Sequence, residues 1–137
     1  MFSLQNKIAV ITGAGSGIGK AIAMLFAQQG AVVHLPELHK EAAIETLQEI
    51  TNAGGQGYAY SCDITNPDQV AYTMQEVGAF DLLINCAGIA HVGTATSTTP
   101  EDFNRIFQVN VAGTYHCLHY GIPNLIKSGG GAIVNIA

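Results

Sequence analysis

Charge is scarce in this sequence. Only 11% of its 137 residues are Asp, Glu, Lys or Arg, against about a quarter in ordinary globular chains. With 48% apolar residues beside so little charge, the chain can bury a core, and intrinsic disorder is excluded. Five basic residues face ten acidic ones, a formal net charge of −5, and no Lys/Arg run occurs. A surface for nucleic-acid phosphates or anionic membrane is therefore not expected. Cysteine is also sparse: Cys62, Cys86 and Cys117 are odd in number and far apart, with no Cys-x-x-Cys pair. That spacing argues against a disulfide framework or a zinc site and fits a reducing compartment. The longest apolar run, Ala21 to Ala27, is far below membrane-spanning length, and the polar Met1 to Lys7 precedes a run too short for a signal-peptide core. The expectation is a soluble, cytoplasmic protein.

What the chain has in excess is glycine, sixteen residues gathered at a few places and without a collagen period. Around these clusters, short apolar runs alternate with longer segments of helical period, the signature of βαβ units and a parallel sheet. Strands are expected at Lys7–Thr12, Ala31–Leu35, Gly57–Ser61, Phe80–Asn85 and Ala132–Ala137. Helices are expected at Ile18–Gln29, Lys40–Asn52 and from Pro67 to about Val77. A long helix should start at the Thr96–Glu101 cluster and reach about Lys127, with Gly113 or Pro123 bending or breaking it. The fold class is α/β: a doubly wound parallel sheet of order 3-2-1-4-5, helices on both faces, residues 1–137 forming one domain. The last strand is nearly all apolar and nothing follows to cover it, so the domain reads as incomplete, truncated after the fifth strand.

The most specific motif is Thr12-Gly13-Ala14-Gly15-Ser16-Gly17-Ile18-Gly19, between the first strand and the first helix. Gly13 allows a sharp turn, Gly17 a close backbone approach to a pyrophosphate, and Gly19 tight packing of the helix on the sheet. The helix start offers free N–H groups and the positive end of its dipole. Glu37, near the end of the second strand, suits the hydroxyls of an adenosine ribose and repels a 2′-phosphate. Ser16 brings no phosphate-pairing charge, which again favours NAD over NADP. Asp63 after the third strand fits either an adenine amino group or a turn before Asn66-Pro67. Asn85-Cys86-Ala87-Gly88 after the fourth strand suits a ligand lying on the backbone, or a plain strand-to-loop turn. His116, Cys117 and His119 lack a further ligand at metal spacing and read as helix residues, while isolated His91 is at most a substrate contact.

These features together resemble the N-terminal half of a classical short-chain dehydrogenase/reductase. The resemblance rests on the Thr-Gly-x-x-x-Gly-x-Gly turn, Glu37, Asp63, Asn85-x-Ala87-Gly88, Val109-Asn110-Val111 and Gly130 to Ile136. It implies a Rossmann-type fold and an oxidoreductase that interconverts an alcohol and a carbonyl by hydride transfer with NAD, or less readily NADP. By resemblance, Gly13, Gly17 and Gly19 bind the pyrophosphate region with Ile18 packed beside it and Ser16 in the same cofactor-binding loop, Glu37 holds the ribose, and Asp63 with Ile64 frames the adenine. Asn85, Ala87 and Gly88 line the cofactor cleft and fix the sheet. Asn110 resembles the family's helix asparagine, which positions a water in the proton relay; a helix Asn bonded to its own backbone is the other reading. Phe103, Ile106 and Phe107 are core or, as in the family's long helix, part of a homo-oligomer contact.

The resemblance also implies a catalytic serine directly after Ala137 and a Tyr-x-x-x-Lys pair beyond it. None of Tyr58, Tyr60, Tyr72, Tyr115 and Tyr120 is followed four residues later by lysine. Residues 1–137 alone are therefore expected to be inactive and prone to aggregate. The alternatives are a non-catalytic dinucleotide-binding half-domain and, against the motif spacing, an S-adenosylmethionine-binding protein.

Overall fold

The computed structural model describes residues 2–137. In chain order the elements are β1 (Ile8–Ile11), α1 (Gly17–Gln28), β2 (Val32–Glu37), α2 (Lys40–Asn52), β3 (Gln56–Ser61), α3 (Pro67–Val77) and β4 (Leu82–Asn85). They continue with α4 (Pro100–Phe107), a π-helical turn (Gln108–Gly113), α5 (Thr114–Lys127) and β5 (Ala132–Asn135). The five strands form one parallel sheet of order β3-β2-β1-β4-β5. This is the α/β topology read from the pattern, Rossmann-like in its strand order.

Strand alternation assigns each side chain to one of two layers. Ala9, Ile11, Val33, Leu35 and Ile84 face α1 and α2, where Ala23, Ala27, Ala43 and Ile50 close the first core. Val10 and Leu83 point the other way and meet Val70, Met74, Cys117 and Leu125 beneath α3 and α5. Both faces of the central strands are thus buried, which is why they read as continuous apolar runs.

The helix starts follow local chemistry. Asn66 caps α3 by accepting from the Asp68 and Gln69 N–H groups at 3.0 and 3.3 Å, with Pro67 in the first turn, where it forfeits no bond. Thr99 caps α4 in the same way by accepting from Asp102 N–H at 3.1 Å, ahead of Pro100.

Several boundaries differ by one or two residues from the reading of the pattern, β4 opening at Leu82 rather than Phe80 among them. β2 runs on through Pro36 to Glu37. The proline is tolerated because it lies beyond the last β1–β2 pair, Val10 with His34, while its carbonyl still accepts the Gly13 N–H at 3.1 Å. The long helix is broken neither at Pro123 nor at Gly113. It passes through the π turn, and Pro123 sits inside α5, where Asn124 Nδ2 donates to the Met74 carbonyl at 2.7 Å. The fifth strand is shorter than expected, and all four of its residues are exposed.

Candidate functional site

A cleft of about 420 Å³ opens at the carboxyl edge of the sheet, where parallel α/β folds place their ligands. Its walls are the glycine loop, the end of β2, the turn after β3 and the loop after β4. The glycine loop is shaped by conformation first. Gly13 has φ +69° and Gly17 φ +55°, both in the left-handed region that side chains resist. At Gly13 space is short as well, since a Cβ would stand 2.7 Å from Ala87 Cα. At Gly19 a Cβ would overlap the Gly13 carbonyl just after β1, so the missing side chain lets the start of α1 close onto the loop.

Ser16 flanks α1 in an extended conformation without a side-chain cap, and no acidic residue occupies the first turn. The N–H groups of this turn are therefore open to an anionic group. Thr12, buried, holds the loop to its neighbour: its Oγ1 accepts the N–H groups of Cys86 and Ala87, each at 3.1 Å. That clamp joins the ends of β1 and β4 and sets the width of the cleft floor.

Glu37 is fixed before any ligand arrives. Its Oε2 accepts the Gly15 N–H at 3.0 Å and its Oε1 the His39 N–H at 3.3 Å. Each carboxylate oxygen keeps acceptor capacity for a hydroxyl in the cleft. Across from it, Asp63 Oδ1 accepts both the N–H and the hydroxyl of Thr65, at 2.9 and 2.7 Å. Asp63 thus makes the turn that one reading gave it, and it also lines the cleft. Ile64 lines the cleft too, while its carbonyl meets His116 Nδ1 at 2.7 Å. His116 is thereby accounted for as a packing contact of α5, and no cluster suited to a metal exists among the described residues.

Of the residues singled out in the sequence, Gly13, Ser16, Gly17, Ile18, Gly19, Glu37, Asp63, Ile64, Ala87 and Gly88 all line this one cleft. Asn85 and Asn110 do not. Asn85 is buried and turns sideways, its Nδ2 donating to Asn135 Oδ1 on β5 at 2.8 Å, and its own Oδ1 has no partner. Asn110 bonds the Ile89 backbone at both ends, Oδ1 accepting the N–H at 2.9 Å and Nδ2 donating to the carbonyl at 2.8 Å. Neither amide atom bonds its own helix; together they hold the loop after β4. His91 meets Thr98 at 3.1 Å, away from the cleft wall. Cys62 and Cys86 line the cleft, and burial raises both thiols above their ordinary pKa, so they stay neutral, small lining groups. Thr12 and Asn135 are fixing residues that no local motif marks; the Asn pair is visible only once β4 and β5 are in register.

The family profile described as short chain dehydrogenase matches residues 7–137. The chain belongs to the short chain dehydrogenase family. Among its curated relatives, the cyclohexanol dehydrogenase of Acinetobacter sp. (strain SE19) is 39% identical, over 97% of this chain and 55% of the relative. The 7alpha-hydroxysteroid dehydrogenase of Escherichia coli (strain K12) is 38% identical, over 97% of this chain and 53% of its own length. A solved 7α-hydroxysteroid dehydrogenase in complex with NADH and 7-oxo glycochenodeoxycholic acid superposes with a TM-score of 0.92 at 36% identity, across 100% of this chain and 57% of that one. A short-chain type dehydrogenase/reductase from Mycobacterium marinum gives 0.93 at 33% identity, over 97% and 56%. The chain spans about half the length of the short chain dehydrogenases it matches.

Proposed function

We propose that this chain is the nucleotide-binding part of an NAD-preferring oxidoreductase that interconverts an alcohol and a carbonyl by hydride transfer. Residues 1–137 form a single NAD(P)-binding domain. The observation that carries this reading is the pre-set Glu37 carboxylate lining the same cleft as an uncapped helix start and two left-handed glycines. A carboxylate there accepts from a ribose 2′-hydroxyl and repels a 2′-phosphate. No Lys or Arg lines the cleft among the described residues, and His39 beside Glu37 is the one basic side chain there to soften that discrimination. Gly17 to Gly19 hold the pyrophosphate, Asp63 and Ile64 frame the adenine, and Ala87 and Gly88 form the floor.

When bound, the nicotinamide supplies or accepts the hydride. The residues seen here bind and orient it; none of them is placed to give or take the substrate's proton. Residues 1–137 alone therefore hold the nucleotide without turnover. Asn110 fixes Ile89 beside the floor through its side-chain amide, and by its likeness to the family's helix asparagine it positions a water of the proton relay. The substrate is a small alcohol or ketone, a class supported by relatives named for cyclohexanol and a hydroxysteroid. The protein works in the cytoplasm as a homo-oligomer joined in part through the Phe103–Phe107 face.

Calorimetric titration with NAD and NADP tests the reading. NAD should bind the more tightly, and Glu37→Ala should narrow the gap by about tenfold, as expected for a lost hydrogen bond to a charged group. Equal affinity of the unaltered protein for the two nucleotides, or an unchanged gap in the variant, overturns the assignment of Glu37.

A further inference from the structure

The glycine loop carries one glycine that the family's spacing does not call for. Gly13, Gly17 and Gly19 are the motif positions; Gly15 lies between them. Its φ is outside the left-handed region, so its backbone would accept any side chain. Space excludes one. A Cβ on Gly15 would stand 2.7 Å from Ala42 Cβ on α2, 3.0 Å from Glu37 Oε2 and 3.1 Å from Glu37 Cδ. The Ala42 methyl cannot swing aside, whereas the Glu37 carboxylate can, and in doing so it would give up the Gly15 N–H.

The geometry points to Gly15 as a specificity-determining position: the absence of a side chain there lets α2 press close and lets the Gly15 N–H hold the Glu37 carboxylate where it selects NAD over NADP. This rests on the proposed reading of Glu37 and extends it to a residue that does not itself line the cleft. Gly15 is a positioning residue. One oxygen of Glu37 is held by the loop through Gly15 and the other by the start of α2 through the His39 N–H. The carboxylate is thus pinned between the two elements whose separation Gly15 and Ala42 define. Pre-organisation of this kind lowers the ordering cost of binding and makes the charge repel a 2′-phosphate at a fixed point.

The test is a titration of the unaltered protein, Gly15→Ala and the double variant Gly15→Ala/Ala42→Gly with NAD and NADP, and with AMP and 2′,5′-ADP as half-ligands. In Gly15→Ala the NAD-to-NADP affinity ratio should fall about tenfold, and the AMP to 2′,5′-ADP ratio with it. A loop damaged in general would weaken all four ligands alike and leave both ratios unchanged. Removing the Ala42 methyl relieves the closest contact, so the double variant should recover part of both ratios. Unchanged ratios in Gly15→Ala, or a double variant as indiscriminate as the single one, overturn the inference while leaving Glu37 in place. An unaltered protein without preference for NAD overturns the reading of Glu37 and this inference together.

Discussion

The two sides of the sheet's centre are built differently. On the glycine-loop side, Ala9, Val33, Leu35 and Ala43 are fully buried between β1–β3 and α1–α2. The cleft edge there is held by hydrogen bonds from backbone N–H groups to Thr12, Glu37 and Asp63. On the α4–β5 side, α4 has no buried residue, Phe103 and Ile126 are 62% and 70% exposed, and every residue of β5 is exposed. Phe103 and Phe107 stack on each other in solvent, with ring centroids 6.4 Å apart. Packing within these residues is therefore concentrated where the nucleotide reading needs rigidity. The other side presents apolar surface of the kind that contacts further protein.

Substitutions should report this contrast most strongly through stability. Leu35→Ala removes a fully buried side chain from the first core and should cost about 2–5 kcal/mol in denaturant unfolding. Phe103→Ala, on the open side, should change stability by no more than about 0.5 kcal/mol. Similar losses for the two would erase the distinction. A smaller effect is expected at the clamp: Thr12→Val keeps the volume but leaves the Cys86 and Ala87 N–H groups without their acceptor, at about 1–3 kcal/mol. Hydrogen exchange at those two amides should accelerate more than exchange in α5.

The last of these effects depends on pH. His34 is buried on β2, stacked near Tyr58 and Tyr60 with Nδ1 2.8 Å from the Tyr60 hydroxyl, and burial lowers its pKa from 6.5 to about 4. Between those values the unfolded chain binds the proton that the folded chain refuses. Its stabilising contribution is complete above pH 6.5 and is lost as pH falls towards 4. The loss is about 1–2 kcal/mol once partial solvent screening is allowed for. His34→Gln should flatten that slope, read from unfolding midpoints across the range; an unchanged slope would assign the pH dependence to other groups.

Topology was legible because buried parallel strands and amphipathic helices carry different periods, and the glycines sit between them. Gly13, Gly17, Glu37 and Asp63 were legible for the same reason, being local to strand ends. The π turn was not, since one extra residue in a turn hardly disturbs the apolar spacing of Phe103, Phe107 and Val111. Nor was the commitment of Asn110 to Ile89, which is a contact between two distant segments. The sideways turn of Asn85 follows from the β4–β5 register, and the crowding at Gly15 from a methyl on α2. In each case a partner far along the chain decides what the residue does.

Saturation-transfer NMR of NAD in the presence of the protein tests most directly whether the cleft takes the adenosine half of the dinucleotide through Glu37 and the glycine loop. Saturation should reach the adenine and adenosine-ribose protons, fall sharply in Glu37→Ala, and persist when S-adenosylmethionine is added at equal concentration. No transfer to those protons, transfer insensitive to Glu37, or displacement by S-adenosylmethionine would contradict it.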